Sequence, residues 1–262
     1  MKKLVVLVIP VILFCCKPEL DKVRKTPKEF RAAPPGTVWL KDSIYMDKCE
    51  IRNLDYLEYV FWIKAHDSAG YAKVLPDTNV WTETLCYNEP YRNLYFWHPA
   101  YRNYPVVGVS YEQAIAYCKW RTERVCEFDR LRKQLQFPHG LEYRLPTKDE
   151  WEYAASAGNH EAYGFASMQN RDKSPNFNVR ELCSLGYAAD AGSVIFPADA
   201  FKANSFGIHN MIGNVAEMIT EKGISKGGSW IHSIENCTIE DSIRYDAPKA
   251  WLGFRCVCIV KK

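Results

Sequence analysis

Three short motifs close the chain: Asn210-Met-Ile-Gly213-Asn214-Val-Ala-Glu217, Lys226-Gly-Gly-Ser-Trp230 and Gly253-Phe-Arg-Cys256. Spaced motifs of this kind are hard to obtain by chance. Two more stand upstream, Tyr104-Pro-Val-Val-Gly-Val-Ser110 and Arg144-Leu-Pro-Thr-Lys-Asp-Glu-Trp-Glu-Tyr153. Between them, regular structure is marked at only a few places. Asn53 precedes Tyr56, Val60 and Ile63 at helical spacing, so a helix is expected to start there with Asn53 as its cap. Ser110-Tyr-Glu-Gln113 and Thr147-Lys-Asp-Glu150 have the form of capping boxes, with Gly158 placed to stop the second helix. Thr37–Leu40 and Phe254–Val260 read as short strands. The expected class is an irregular α+β domain without internal repeats. Trp, Tyr and Phe make up 14% of the chain, and wide aromatic side chains suit such a domain because they bury irregular backbone while their polar tips find partners.

The N-terminus is read separately. Met1-Lys-Lys followed by the apolar run Leu4–Phe14 has the charged and hydrophobic regions of a secretory signal, too short to span a bilayer as a stable helix. The run ends in Cys15-Cys16-Lys-Pro, the form of a lipoprotein signal with an acylated first mature residue, here Cys16. The alternative is an ordinary secreted protein with a stray Cys pair. The organisation expected is a signal peptide over residues 1–15, a flexible, Lys-, Glu- and Pro-rich tether over 16–34 and one domain over 35–262. The expected location is the cell envelope, anchored by lipid, with the outer membrane favoured. A net charge of +3, with basic and acidic residues interleaved, gives no support to nucleic-acid binding.

The five motifs together resemble the formylglycine-generating-enzyme, or sulfatase-modifying factor, superfamily from about Pro34 to the C-terminus. The resemblance implies a C-type-lectin-like α+β fold with little regular secondary structure. Within it, the segment from about Pro76 to Arg124, with Tyr95-Phe-Trp-His-Pro-Ala-Tyr101 and Lys119-Trp-Arg-Thr122, is similar to gliding-motility and type IX secretion lipoproteins. That likeness implies other envelope proteins as partners. Oxidases of the superfamily bind copper(I) through two cysteines five positions apart, a soft donor pair for a soft ion. In this chain Ser229 and Cys237 fall on family positions, but His232 stands where the first cysteine belongs. The resemblance therefore implies a degenerate site, copper being unexpected and a copper-dependent oxidase of exported cysteine-containing proteins the competing reading. It also implies structural calcium, held by Asn210, Gly213, Val215 and Glu217, and less closely by Asn176, Phe177, Asp199 and Phe201. It further implies a disulfide between Cys118 and Cys256.

Other chemistry is not encoded. No His-Glu-x-x-His motif, phosphate loop or nucleophile elbow is present, and His66, His98, His139, His160 and His209 lack metal-site spacing. Eight cysteines follow Cys16, an even number that permits full pairing in an oxidising compartment without showing it.

Overall fold

The chain's local signals become short elements around two small sheets. The structure, a computed structural model, describes residues 33–82, 89–132, 135–158, 161–164, 176–180 and 195–261. Cys16 and the tether, Cys86 and Cys183 lie outside these residues, as do residues 83–88 of the Pro76–Arg124 segment. In chain order the elements are β1 (Thr37–Lys41), β2 (Ile44–Asp47), α1 (Asn53–His66), α2 (Glu89–Leu94), α3 (Tyr111–Arg130), β3 (Leu141–Arg144) and α4 (Lys148–Ser156). They continue with β4 (Ala216–Met218), β5 (Ile224–Lys226), β6 (Ile243–Arg244), β7 (Leu252–Gly253) and β8 (Val257–Val260).

Both capping boxes form. Ser110 Oγ accepts from the Gln113 amide while the Gln113 side chain accepts from the Ser110 amide, and Thr147 and Glu150 repeat the exchange at α4. Helix α4 ends at Ala157 in the left-handed region, φ +48°, with Gly158 continuing at +81°. At α1 the expectation is corrected: the cap is Arg52, whose amide donates to the Asp55 carboxylate, and Asn53 lies inside the helix. Tertiary bonding overrides the Asn cap preference, because the buried Asn53 amide donates to the carbonyls of Tyr95 and Tyr101 at 2.9 and 3.0 Å.

The first sheet is antiparallel in the order β1-β2-β8-β3, with Tyr45 opposite Cys258 and Tyr143 opposite Cys258 on the other side. The second runs β6-β5-β4-β7, with β4 and β7 parallel. Helices α1 and α3 close one core over the first sheet, where Tyr56 stacks on Tyr117 at 5.6 Å and Tyr117 meets Phe254 edge-on at 5.5 Å. Helix α4 brings Trp151 into a second core with Ile208 and Val257. A third gathers Trp81, Tyr95, Val107 and Trp230. Each large aromatic buries about 150–250 Å2, roughly 4–6 kcal/mol before the entropy of ordering it is subtracted.

Candidate functional site

The motif Asn210–Glu217 forms a tight loop whose backbone only certain residues adopt. Asn210 and Asn214 have φ of +53° and +59°, conformations that Asn tolerates, and Gly213 has +75°. A Cβ on Gly213 would lie 2.2 Å from the Asn178 carbonyl oxygen, so any side chain there would displace backbone. The loop delivers Glu217 into β4, with both carboxylate oxygens held: Arg255 donates through Nε at 2.7 Å and Nη2 at 2.5 Å, and the Trp151 indole donates at 2.7 Å. Glu217 and Arg255 are both 0% exposed. Arg255 also reaches the carbonyls of Asp47 and His209.

Beneath the loop lies Glu50, fully buried, which accepts from the side-chain amides of Asn210 and Asn214. Burial pushes its carboxyl well above the usual carboxylate range, against the opposing pull of Arg255. Motif residues far apart in sequence thus bond to one another, and their work is to hold the fold.

This geometry bears on the calcium ligands. Calcium takes six to eight oxygens, but both Glu217 oxygens are engaged by Arg255 and Trp151. Of that set, the Asn210 side-chain oxygen is buried without a hydrogen-bond partner. With its carboxylate held by Arg255 and Trp151, the set as arranged here does not offer calcium the charged ligand it needs. In the second set Asn176 and Phe177 are buried, Asp199 is exposed and the Phe201 carbonyl bonds the His209 ring at 2.7 Å. Among the described residues no three His, Cys, Asp or Glu side chains are arranged to hold a metal ion.

The degenerate oxidase positions follow β5. Gly228, at φ +67°, lies so close to Cys237 that an added Cβ would sit 2.1 Å from its sulfur. Cys237 is sealed in the second core, its thiol donating to the Ser233 carbonyl at 3.2 Å. Ser229 Oγ and His232 Nδ1 are 2.7 Å apart, and the imidazole meets Trp251 edge-on at 4.8 Å. Burial, with the positive charge of Arg180 second, lowers the His232 pKa to about 4, so the ring is neutral at ordinary pH. A neutral imidazole hydrogen-bonded to a buried serine and a covered thiol do not fit a two-thiolate copper site.

Cys118 on α3 and Cys256 before β8 face each other, their sulfurs 3.5 Å apart in the core. The resemblance named this pair, and the structure brings it together. The aromatic segment is divided: Tyr95 and Phe96 are core, whereas Trp97 is 42% exposed. Sequence reasoning missed Glu50 and the role of Arg255. A lone arginine between Phe254 and Cys256 in an apolar stretch was the available signal, since a buried guanidinium requires a carboxylate.

The fold, the buried motif network and the altered cysteine position define a class, and the comparison with protein families agrees. Residues 18–260 match the FGE-sulfatase family model, the sulfatase-modifying factor enzyme 1-like domain, and the chain belongs to that family. Among individual relatives, the formylglycine-generating enzyme of Mus musculus is 24% identical over 270 residues, covering 82% of this chain and 66% of that protein. The inactive C-alpha-formylglycine-generating enzyme 2 of Bos taurus is 26% identical, covering 58% of this chain and 50% of that one. A protein described as chaperone protein LppX, from Paenibacillus barcinonensis, is 28% identical, covering 55% and 65%. The chain thus spans about half to two thirds of the length of these relatives. In fold alone it is similar to the crystal structure of CarF, with a TM-score of 0.53, 16% identity and coverage of 86% of this chain and 93% of that one.

Proposed function

We propose that this chain is a non-catalytic member of the family that binds partner proteins at the cell envelope, held to a membrane by lipid on Cys16. The observation that carries the reading is the Ser229–His232 hydrogen bond at the position of the first copper-site cysteine, with the Cys237 thiol covered beside it. Relatives described as an inactive formylglycine-generating enzyme and as a chaperone support a binding role. No helix among the described residues is long and apolar enough to cross a membrane. The likeness of Pro76–Arg124 to gliding-motility lipoproteins favours a motility or secretion assembly, with Trp97 exposed within its aromatic segment.

The test is to load the protein with copper(I) and offer a cysteine-containing sulfatase-type peptide under oxygen. No turnover is expected. Turnover abolished by Cys237→Ser would replace this reading with the oxidase. Mass spectrometry of the mature N-terminus tests the anchor: acyl chains on Cys16 are expected, and an unmodified peptide beginning further along would refute it.

A further inference from the structure

Helix α3 ends in apolar side chains left in solvent. Leu131, its cap, is 80% exposed, Phe128 one turn before it is 58% exposed, and Leu135 beyond it is 41% exposed. The three share one end of the molecule. Phe128 and Leu131 are neighbours on the helix surface, and the Leu131 amide donates to the Phe128 carbonyl at 3.2 Å. The Asp129 carboxylate accepts from the amides of Gln136 and Phe137 at 3.0 and 2.9 Å, which brings the segment after Leu135 back onto the same turn. Grouped exposed apolar side chains mark a contact surface.

Cations surround this tip. Arg130 and Arg132 are exposed in the same turn, and the Arg132 guanidinium lies over the Phe128 ring at 4.9 Å. Lys261 is exposed at the same end, its amide donating to the Gly140 carbonyl where the loop after α3 closes. The carboxylates of that turn are engaged: Asp129 is buried on its two amides with Arg132 4.0 Å away, and Glu127 is bound to Arg124. An apolar tip ringed by cations is complementary to a bilayer with anionic headgroups, where Phe and Leu enter the acyl boundary while Arg and Lys stay among the phosphates. A second copy of the chain is a poorer match, since three side chains fall far short of the roughly 20–30 residues a side of a stable interface.

The start of the described chain lies along the same helix. Ala33 packs on the first core, and the Pro35 carbonyl accepts from Arg121 Nη2 at 2.9 Å and from the Tyr143 hydroxyl at 3.3 Å. From Arg121 to Leu131 the helix rises roughly 15 Å, and residues 17–32 reach at most about 50 Å. A lipid on Cys16 and the α3 tip therefore fit on one membrane.

We infer that the tip formed by Phe128, Leu131 and Leu135 docks into an anionic membrane surface, a second and non-covalent contact that fixes which face of the domain is turned away from the lipid. The contact rests on the envelope reading for a membrane to be within reach, but its affinity does not depend on acylation of Cys16.

The experiment uses the chain from residue 16 onward, which keeps the tether and every described element, with Cys16→Ser so that no acyl chain contributes. It is sedimented with vesicles of phosphatidylcholine alone or mixed with phosphatidylglycerol, and a thermal midpoint is recorded for each variant. Binding to the mixed vesicles is expected. Leu131→Ser should weaken it about tenfold, the scale of one leucine withdrawn from water, and Arg130→Gln roughly fivefold, the scale of one basic residue at an anionic surface. Both side chains are exposed, so the thermal midpoint should not move. The tether's basic residues are common to every form, so the loss on Leu131→Ser reads the tip alone. The proposal is overturned if neutral vesicles bind equally, if Leu131→Ser changes nothing, if no binding occurs at about 1 mM lipid, or if the chain dimerises in solution through a contact that Leu131→Ser abolishes. An unmodified Cys16 with vesicle binding intact would remove the anchor and keep this contact; an acylated Cys16 without vesicle binding would do the reverse.

Discussion

Replacing Arg255 by methionine would test whether the motif network holds the fold. The guanidinium makes two bonds to Glu217 and one each to the carbonyls of Asp47 and His209, all in a region closed to solvent. Methionine fills similar volume but leaves the Glu217 carboxylate buried beside Glu50 with the neutralising cation gone. Breaking a buried pair from one side costs about 3–5 kcal/mol, and each orphaned carbonyl adds roughly 1 kcal/mol. The sum is about 5–7 kcal/mol, comparable to the whole stability of many domains. For a domain of this size the thermal midpoint should fall on the order of 10–25 °C. The assay is urea unfolding followed by circular dichroism under reducing conditions, with Glu217→Leu and the double variant completing a cycle. Removing both charges should restore about 2–3 kcal/mol relative to the summed singles. Strict additivity would refute the reasoning, since it would mean that Arg255 stabilises by packing and not through Glu217.

The His232 ring, with its pKa lowered to about 4 from an ordinary 6.5, binds no proton in the folded state where the unfolded chain does. Stability is therefore present above pH 6.5 and lost as pH falls toward 4, by about 1–2 kcal/mol after allowance for the ring's partial exposure; an NMR titration giving an ordinary imidazole midpoint would contradict this. Non-reducing peptide mapping of protein from an oxidising compartment should recover Cys118 joined to Cys256, a loop of 138 residues worth at most roughly 5 kcal/mol, and Cys118 joined to Cys258 would overturn the pairing. Calcium at about 1 mM should leave the thermal midpoint unchanged relative to chelator. A rise of several degrees would mean that Glu217 exchanges Arg255 for the ion.

What the sequence disclosed was its local chemistry. Capping boxes act over three residues, so the starts of α3 and α4 could be read directly from Ser110–Gln113 and Thr147–Glu150. Asn53 misled because its partners are the carbonyls of Tyr95 and Tyr101, 42 and 48 residues away, which no periodicity encodes. Glu50 was hidden in the charged run Asp47-Lys48-Cys49-Glu50, where an exposed turn is the natural reading, yet it is 1% exposed. The Cys118–Cys256 apposition came from family resemblance alone, because eight cysteines leave many pairings open.

Strand β8 lies between β2 and β3, and Arg255 just before it fastens Glu217, Asp47 and His209. One of the two interior strands of the first sheet is therefore residues 257–260, which are synthesised after both strands they pair with. A chain emerging in order would hold β2 and β3 without the strand between them until residues 257–260 emerge, and the cost of closing such long loops makes early collapse unrewarding. The first sheet can therefore be completed only when β8 is present, so deleting residues 257–260 should abolish folding instead of trimming it.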